Sequence, residues 1–174
     1  MCVCVNFIDF KLCELFGYLN KKHIIKITYL NENRDKKTLK IVPILVKEFF
    51  NDWQLIAQNL ASNKVIAIPL LSIEKITPMQ KYEGSLDEAG ITYYANRIGV
   101  SASTTHSEEP ISISLTVNAS LYSQLLFYPL HPSQRFIGVN NSNQYQFSYK
   151  LTPNQEFEVF CSFNKGRIFE IINQ

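Results

Sequence analysis

The sequence predicts an α+β chain in which a small β-barrel precedes a βαββαβ unit. Three observations predict it. Five short runs of alternating apolar and polar residues, broken by tight turns, fall within residues 23–76, the spacing of a small curled barrel. A second block after Pro110 reads strand, helix, strand, strand, helix, strand, which is the split-βαβ or ferredoxin-like order. Between them, Thr77–Glu109 carries Gly84, Gly90 and Gly99 and then a polar tract from Ser101, the texture of a domain boundary. The expected divisions are an N-terminal helical segment over 1–22, the barrel over 23–80, a linker with a short helix over 81–109, and the ferredoxin-like unit over 110–174.

In chain order, Phe7–Leu19 reads as a helix, because Ile8, Leu12, Leu15, Phe16 and Leu19 recur at three- and four-residue steps. Ile25, Ile27 and Tyr29 alternate in a strand over His23–Leu30, and Asn31–Asp35 supplies the turn. Thr38–Phe50 is extended, with Pro43 marking an edge or a bulge. Asn51-Asp52 turns into Trp53–Gln58, Ser62-Asn63 turns into Lys64–Ile68, and Leu71–Ile76 closes the set. Leu86–Tyr94 is a short helix with Ser85 as cap and Glu88 at the capping-box position. Strict alternation of Ile111, Ile113, Leu115 and Val117 marks the next strand. A helix over Ala119–Tyr128 follows, capped by Asn118. Strands Gln134–Val139 and Gln144–Leu151 flank the turn at residues 140–143. A helix over Pro153–Phe163, capped by Thr152, precedes a last strand at Arg167–Ile172.

Composition excludes several classes. With 17 Lys+Arg against 15 Asp+Glu the formal charge is +2, so neither a strongly basic nucleic-acid arm nor an acidic tail is present. A 46% hydrophobic content is incompatible with a disordered chain. No apolar run reaches the length of a membrane helix, and MCVCVNFIDF lacks the positive start of a signal peptide. Cys2, Cys4, Cys13 and Cys161 form no CxxC pair, so reduced thiols in a cytoplasmic protein are expected, with no metal and no cofactor. No P-loop, nucleophile elbow, HExxH or paired-carboxylate pattern appears, and no catalytic residue is assigned.

Three segments of the first block carry a family resemblance: Lys40 to Leu45 with Pro43, then Trp53-Gln54-Leu55-Ile56-Ala57, then Ile66 to Ile73. They resemble the WYL domain, which typically reads Arg-x-x-Pro, then Trp-Tyr-Leu followed by Ala, then Leu-Asp-Arg-Ile. Pro129 to Gln134, Glu156, and Gly166 with Glu170 resemble the C-terminal extension that follows such domains, so the likeness covers about residues 7 to 174. It implies an Sm-like, SH3-type barrel followed by a ferredoxin-like domain. It also implies the sensor part of a bacterial transcription regulator, answering to a nucleic acid or a small ligand. A winged helix-turn-helix usually precedes the module; the residues before the barrel are too few for one, so the chain reads as a sensor without its DNA reader, with a homodimer or a separate DNA-binding protein as its candidate partner. The chain departs from the pattern at Gln54 (the family's Tyr), at Leu71-Ser72 (its Asp-Arg) and at Lys40 (its Arg).

The resemblance makes Lys40 and Trp53 candidate ligand contacts, with Gln54 and Ser72 at the altered motif positions. Seven Lys/Arg between residues 20 and 40, against Glu32 and Asp35, form either a solvated hairpin or a phosphate-facing patch. In a strand, Lys36 and Lys40 share one face and Lys37 takes the other. Trp53 reads as barrel core or as a stacking platform for a base, and Tyr29 as an apolar contact. His131 reads first as a loop-fixing histidine bonded to backbone, and Ser133 and Gln134 either line a groove or begin the strand. Two functions compete: a non-catalytic sensor of single-stranded nucleic acid or a nucleotide, and a protein-interaction or homodimerisation module whose ligand pocket has decayed.

Overall fold

The computed structural model describes residues 7–50, 52–104 and 108–173. Cys2, Cys4 and the turn residue Asn51 lie outside the described residues. The chain forms two compact units, one ending at Tyr94 and the other beginning at Ala95.

The first unit comprises α1 (Phe7–Lys21), β1 (His23–Leu30), β2 (Lys36–Phe49), β3 (Asp52–Asn59), β4 (Lys64–Pro69), a 3-10 turn (Leu70–Ser72), β5 (Ile73–Lys81) and α2 (Glu88–Ala95). The strands pair antiparallel in the order β4-β3-β2-β1-β5. The spacing of the runs predicts a barrel; the observed unit is one five-stranded sheet, and among the described residues no β4–β5 ladder closes it. Pro43 does mark a bulge, with the β2–β3 register shifting between Pro43 and Leu45. The inward positions gather Leu15, Ile25, Ile27, Ile41, Leu55, Ala57, Ile68, Leu70 and Ile73 into one buried cluster.

Three local expectations are corrected. α1 is rotated from its apolar stripe: Lys11 is buried while Phe16 is half exposed. Lys11 Nζ donates to the carbonyls of Leu70 (3.1 Å) and Ile73, at the junction where the Ile73 N–H also closes the 3-10 turn on Leu70. Burial lowers the Lys11 pKa from its ordinary value. α2 is capped by Asp87, whose Oδ1 accepts the Gly90 N–H at 3.1 Å, and not by Ser85. Leu71-Ser72 belongs to the 3-10 turn, and β5 runs on through Lys81 because it pairs with β1 as far as His23.

The second unit comprises β6 (Ile111–Val117), α3 (Ala119–Phe127), β7 (Arg135–Val139), β8 (Tyr145–Leu151), α4 (Gln155–Phe163) and β9 (Ile168–Asn173). Its element order is βαββαβ, and the antiparallel strand order is β7-β8-β6-β9. Ile113, Leu115, Val117, Phe147, Tyr149 and Leu151 are buried beside Leu121, Leu125, Phe157 and Phe160 from the helices. Asn118 caps α3 through Leu121 N–H (2.9 Å), as its position predicts. α4 is capped by Asn154, which accepts from Phe157 N–H at 3.1 Å, and not by Thr152. The Thr152 hydroxyl is already committed to the Glu108 carbonyl, and its N–H to the Asn96 carbonyl.

Candidate functional site

Antiparallel pairing turns a scattered set of lysines into a surface. In the β1–β2 register Lys26 stands opposite Lys40, Thr28 opposite Thr38 and Leu30 opposite Lys36. Directly opposed residues share a face, so these six lie together, while Lys37 sits opposite Tyr29 on the other face. β5 extends the rows, placing Thr77 beside Lys26 and Lys75 beside Thr28. Lys26, Lys36, Lys40 and Lys75 are exposed. Among the described residues the one ion pair in this region is Lys36 with Glu74, at 2.7 Å. Two ammonium groups directly opposite repel, and such a pair persists where water or a bound anion screens it. Lys26 is one of the seven basic residues counted between 20 and 40 and Lys75 carries no motif; the β1–β2 pairing across the Asn31–Asp35 turn sets Lys26 against Lys40, and the β1–β5 pairing sets Lys75 beside Thr28.

Tyr29 and Ser72 line a cavity of about 470 Å³ together with Leu30, Asn31, Glu32, Ala67 and Pro69, at the Lys36 end of the sheet. The Ser72 hydroxyl donates to the Pro69 carbonyl at 2.7 Å, so it stabilises the 3-10 turn. Trp53 and Gln54 join neither group. Trp53 is half-buried against the main cluster of the unit. The Gln54 side chain is buried, and its amide donates to Asp52 Oδ2 at 2.9 Å.

In the second unit His131 and Ser133 line a cavity of about 610 Å³ with Asn96, Glu109, Pro110 and Lys150. Ser133 N–H donates to His131 Nδ1 (3.2 Å), which assigns the lone pair to Nδ1 and leaves Nε2–H to donate to the Ala95 carbonyl at 3.0 Å. Ser133 Oγ, 2.7 Å from Nδ1, also accepts from Lys150 N–H (2.9 Å) and lies 3.0 Å from the Lys150 carbonyl. This hydroxyl is bound into the neighbouring strand, unlike a nucleophile held open toward a substrate. Gln134 faces inward: its Oε1 accepts from Leu130 N–H and Tyr149 O–H, both at 3.0 Å, and its amide donates to the Leu125 carbonyl at 2.8 Å. Burial raises the Tyr149 pKa, keeping that O–H a donor.

Glu156, singled out only by its place in the motif, clamps a loop. Its Oε1 accepts from Val100 N–H (2.7 Å) and Ser101 N–H (2.8 Å), and its Oε2 accepts the Ser101 hydroxyl. Gly99 permits the approach: it holds φ +57°, and a Cβ there would lie 2.5 Å from Glu156 Oε1. Among the described residues no group of three His, Cys, Asp or Glu side chains gathers as a metal site. No described helix is long and apolar enough to cross a membrane.

No protein-family model and no curated protein matches the chain. Solved structures give a distant likeness. Proteasome accessory factor B/C of Arthrobacter aurescens aligns with all of this chain at 12% identity and a TM-score of 0.41. A CRISPR Cas-related protein aligns with 91% of it, also at 12% identity and 0.41. The chain spans 25% of the first protein and 51% of the second.

Proposed function

We propose that this chain is a non-catalytic, ligand-sensing regulatory module of the WYL type, its sheets an Sm-like barrel and a ferredoxin-like extension, acting in the cytoplasm on an anionic, nucleic-acid-like ligand. The observation that carries the reading is the cross-strand pair Lys26–Lys40, flanked by Lys75 and Lys36 on one face. Lysines that displace counterions from phosphates supply affinity without reading sequence. The motif likeness around Lys40, Pro43 and Trp53 supports the regulatory part of the reading. The cavity lined by Tyr29, Leu30 and Ser72 is a separate candidate for a small ligand.

Replacing Lys40 and Lys37 one at a time tests the assignment, because the register places them on opposite faces. Lys40→Ala is expected to weaken oligonucleotide binding and to lower the salt slope by about 0.7 for a single strand, while Lys37→Ala leaves both unchanged. Equal binding by wild type and both variants would remove the lysine face from the function. A second reading, a protein-interaction module, is favoured by Phe127, Tyr128 and Phe163, which are 80%, 78% and 78% exposed. Association through those aromatics would be insensitive to salt, which separates it from the first.

A further inference from the structure

We infer that the lysine face reads three consecutive phosphates of an extended nucleic-acid strand and makes no contact with the bases. The inference rests on the proposed anionic ligand and adds how the ligand is read.

Same-face residues on a strand recur every second position, so β2 presents Lys40, Thr38 and Lys36 in three rows about 6.8 Å apart. β1 presents Lys26, Thr28 and Leu30 in the same rows, and β5 adds Thr77 to the first row and Lys75 to the second. Two residues of a strand and one nucleotide of a nucleic-acid backbone each comprise six covalent bonds. An extended phosphodiester chain laid along β1 and β2 therefore meets a new row at each phosphate. A condensed inorganic polyphosphate, with only two bonds between phosphorus atoms, does not match this repeat.

Each row offers an ammonium group. The first has Lys40 and Lys26; the second has Lys75 and the hydroxyls of Thr28 and Thr38, whose oxygens lie 3.4 Å apart; the third has Lys36, shared with Glu74. Lysine binds phosphate as a mobile point charge and a hydroxyl donates one neutral hydrogen bond, which suits oxygens whose exact position shifts with strand conformation. Strands that are gripped by their bases need aromatic faces for stacking. Apart from Glu74 beside Lys36, the residues of these three rows are Lys, Thr and one Leu, so none of them offers an aromatic face for stacking.

The test compares three probes of equal phosphate number by fluorescence anisotropy at low salt: oligo-dT, oligo-dA, and a strand of abasic sites. All three are expected to bind within about twofold of one another, because the term that differs among them is stacking. Thr38→Val, which keeps the shape and removes the hydroxyl, is expected to weaken all three by the same factor, about threefold to tenfold. An abasic strand that binds at least tenfold more weakly than oligo-dT would overturn backbone-only reading while leaving the anionic ligand in place. Unchanged affinities for Thr38→Val would overturn the row assignment. No binding of oligo-dT would defeat the proposed ligand itself, and this inference with it.

Discussion

Glu156 shows how a single side chain can hold a loop that has no regular structure. Its carboxylate takes two consecutive backbone N–H groups, of Val100 and Ser101, and the Ser101 hydroxyl. Glu156→Ala is expected to cost about 1–3 kcal/mol, because both amide donors lose their acceptor. Urea unfolding measures the loss, and hydrogen exchange at Val100 and Ser101 localises it. Cys161 makes a second residue-scale prediction. Burial, and then the charge of Glu158, push its thiol from 9.0 up to about 11. Since the neutral form is favoured in the folded state, its contribution to stability is complete below pH 9 and is lost as pH rises through about 11. At pH 9 the exposed Cys13 should therefore be alkylated by iodoacetamide well before Cys161, as peptide mass spectrometry can follow. Equal rates would contradict the burial assigned to Cys161.

At the scale of elements, α1 separates what a sequence can show from what it cannot. Apolar periodicity located the helix, since Leu12, Leu15 and Leu19 recur as a helix requires. Its facing was hidden, because a stripe count treats every lysine as solvated and every phenylalanine as core. The carbonyls of Leu70 and Ile73 draw Lys11 inward and leave Phe16 half exposed. Lys11→Ala should then cost about 1–3 kcal/mol, whereas Phe16→Ser should change stability by about 0.5 kcal/mol or less. Thermal denaturation of the two variants decides between them, and the reverse order would restore the stripe. The caps at Ser85 and Thr152 were misplaced for a related reason: both residues are chemically able to cap, but tertiary partners already use Thr152, and Asp87 stands two positions nearer the helix. Strand boundaries were legible because alternation and turn residues are local. The register that sets Lys26 against Lys40 is a pairing between segments, and the candidate face could be read only once that pairing was known.

For the whole molecule, the net charge of +2 gives no reason to expect a polyanion partner. The functional reading rests instead on where the sheet concentrates its lysines, with Lys26, Lys40 and Lys75 gathered on one face and Lys36 at its end. That distribution makes binding local, electrostatic and dependent on salt. The direct measurement is titration of the wild-type chain with a single-stranded oligonucleotide at about 50 and 200 mM salt. Three phosphate contacts predict a log–log slope near −2, which is a loss of affinity of roughly tenfold to twentyfold over that range. An affinity that does not change with salt, or no binding at either concentration, would contradict the account.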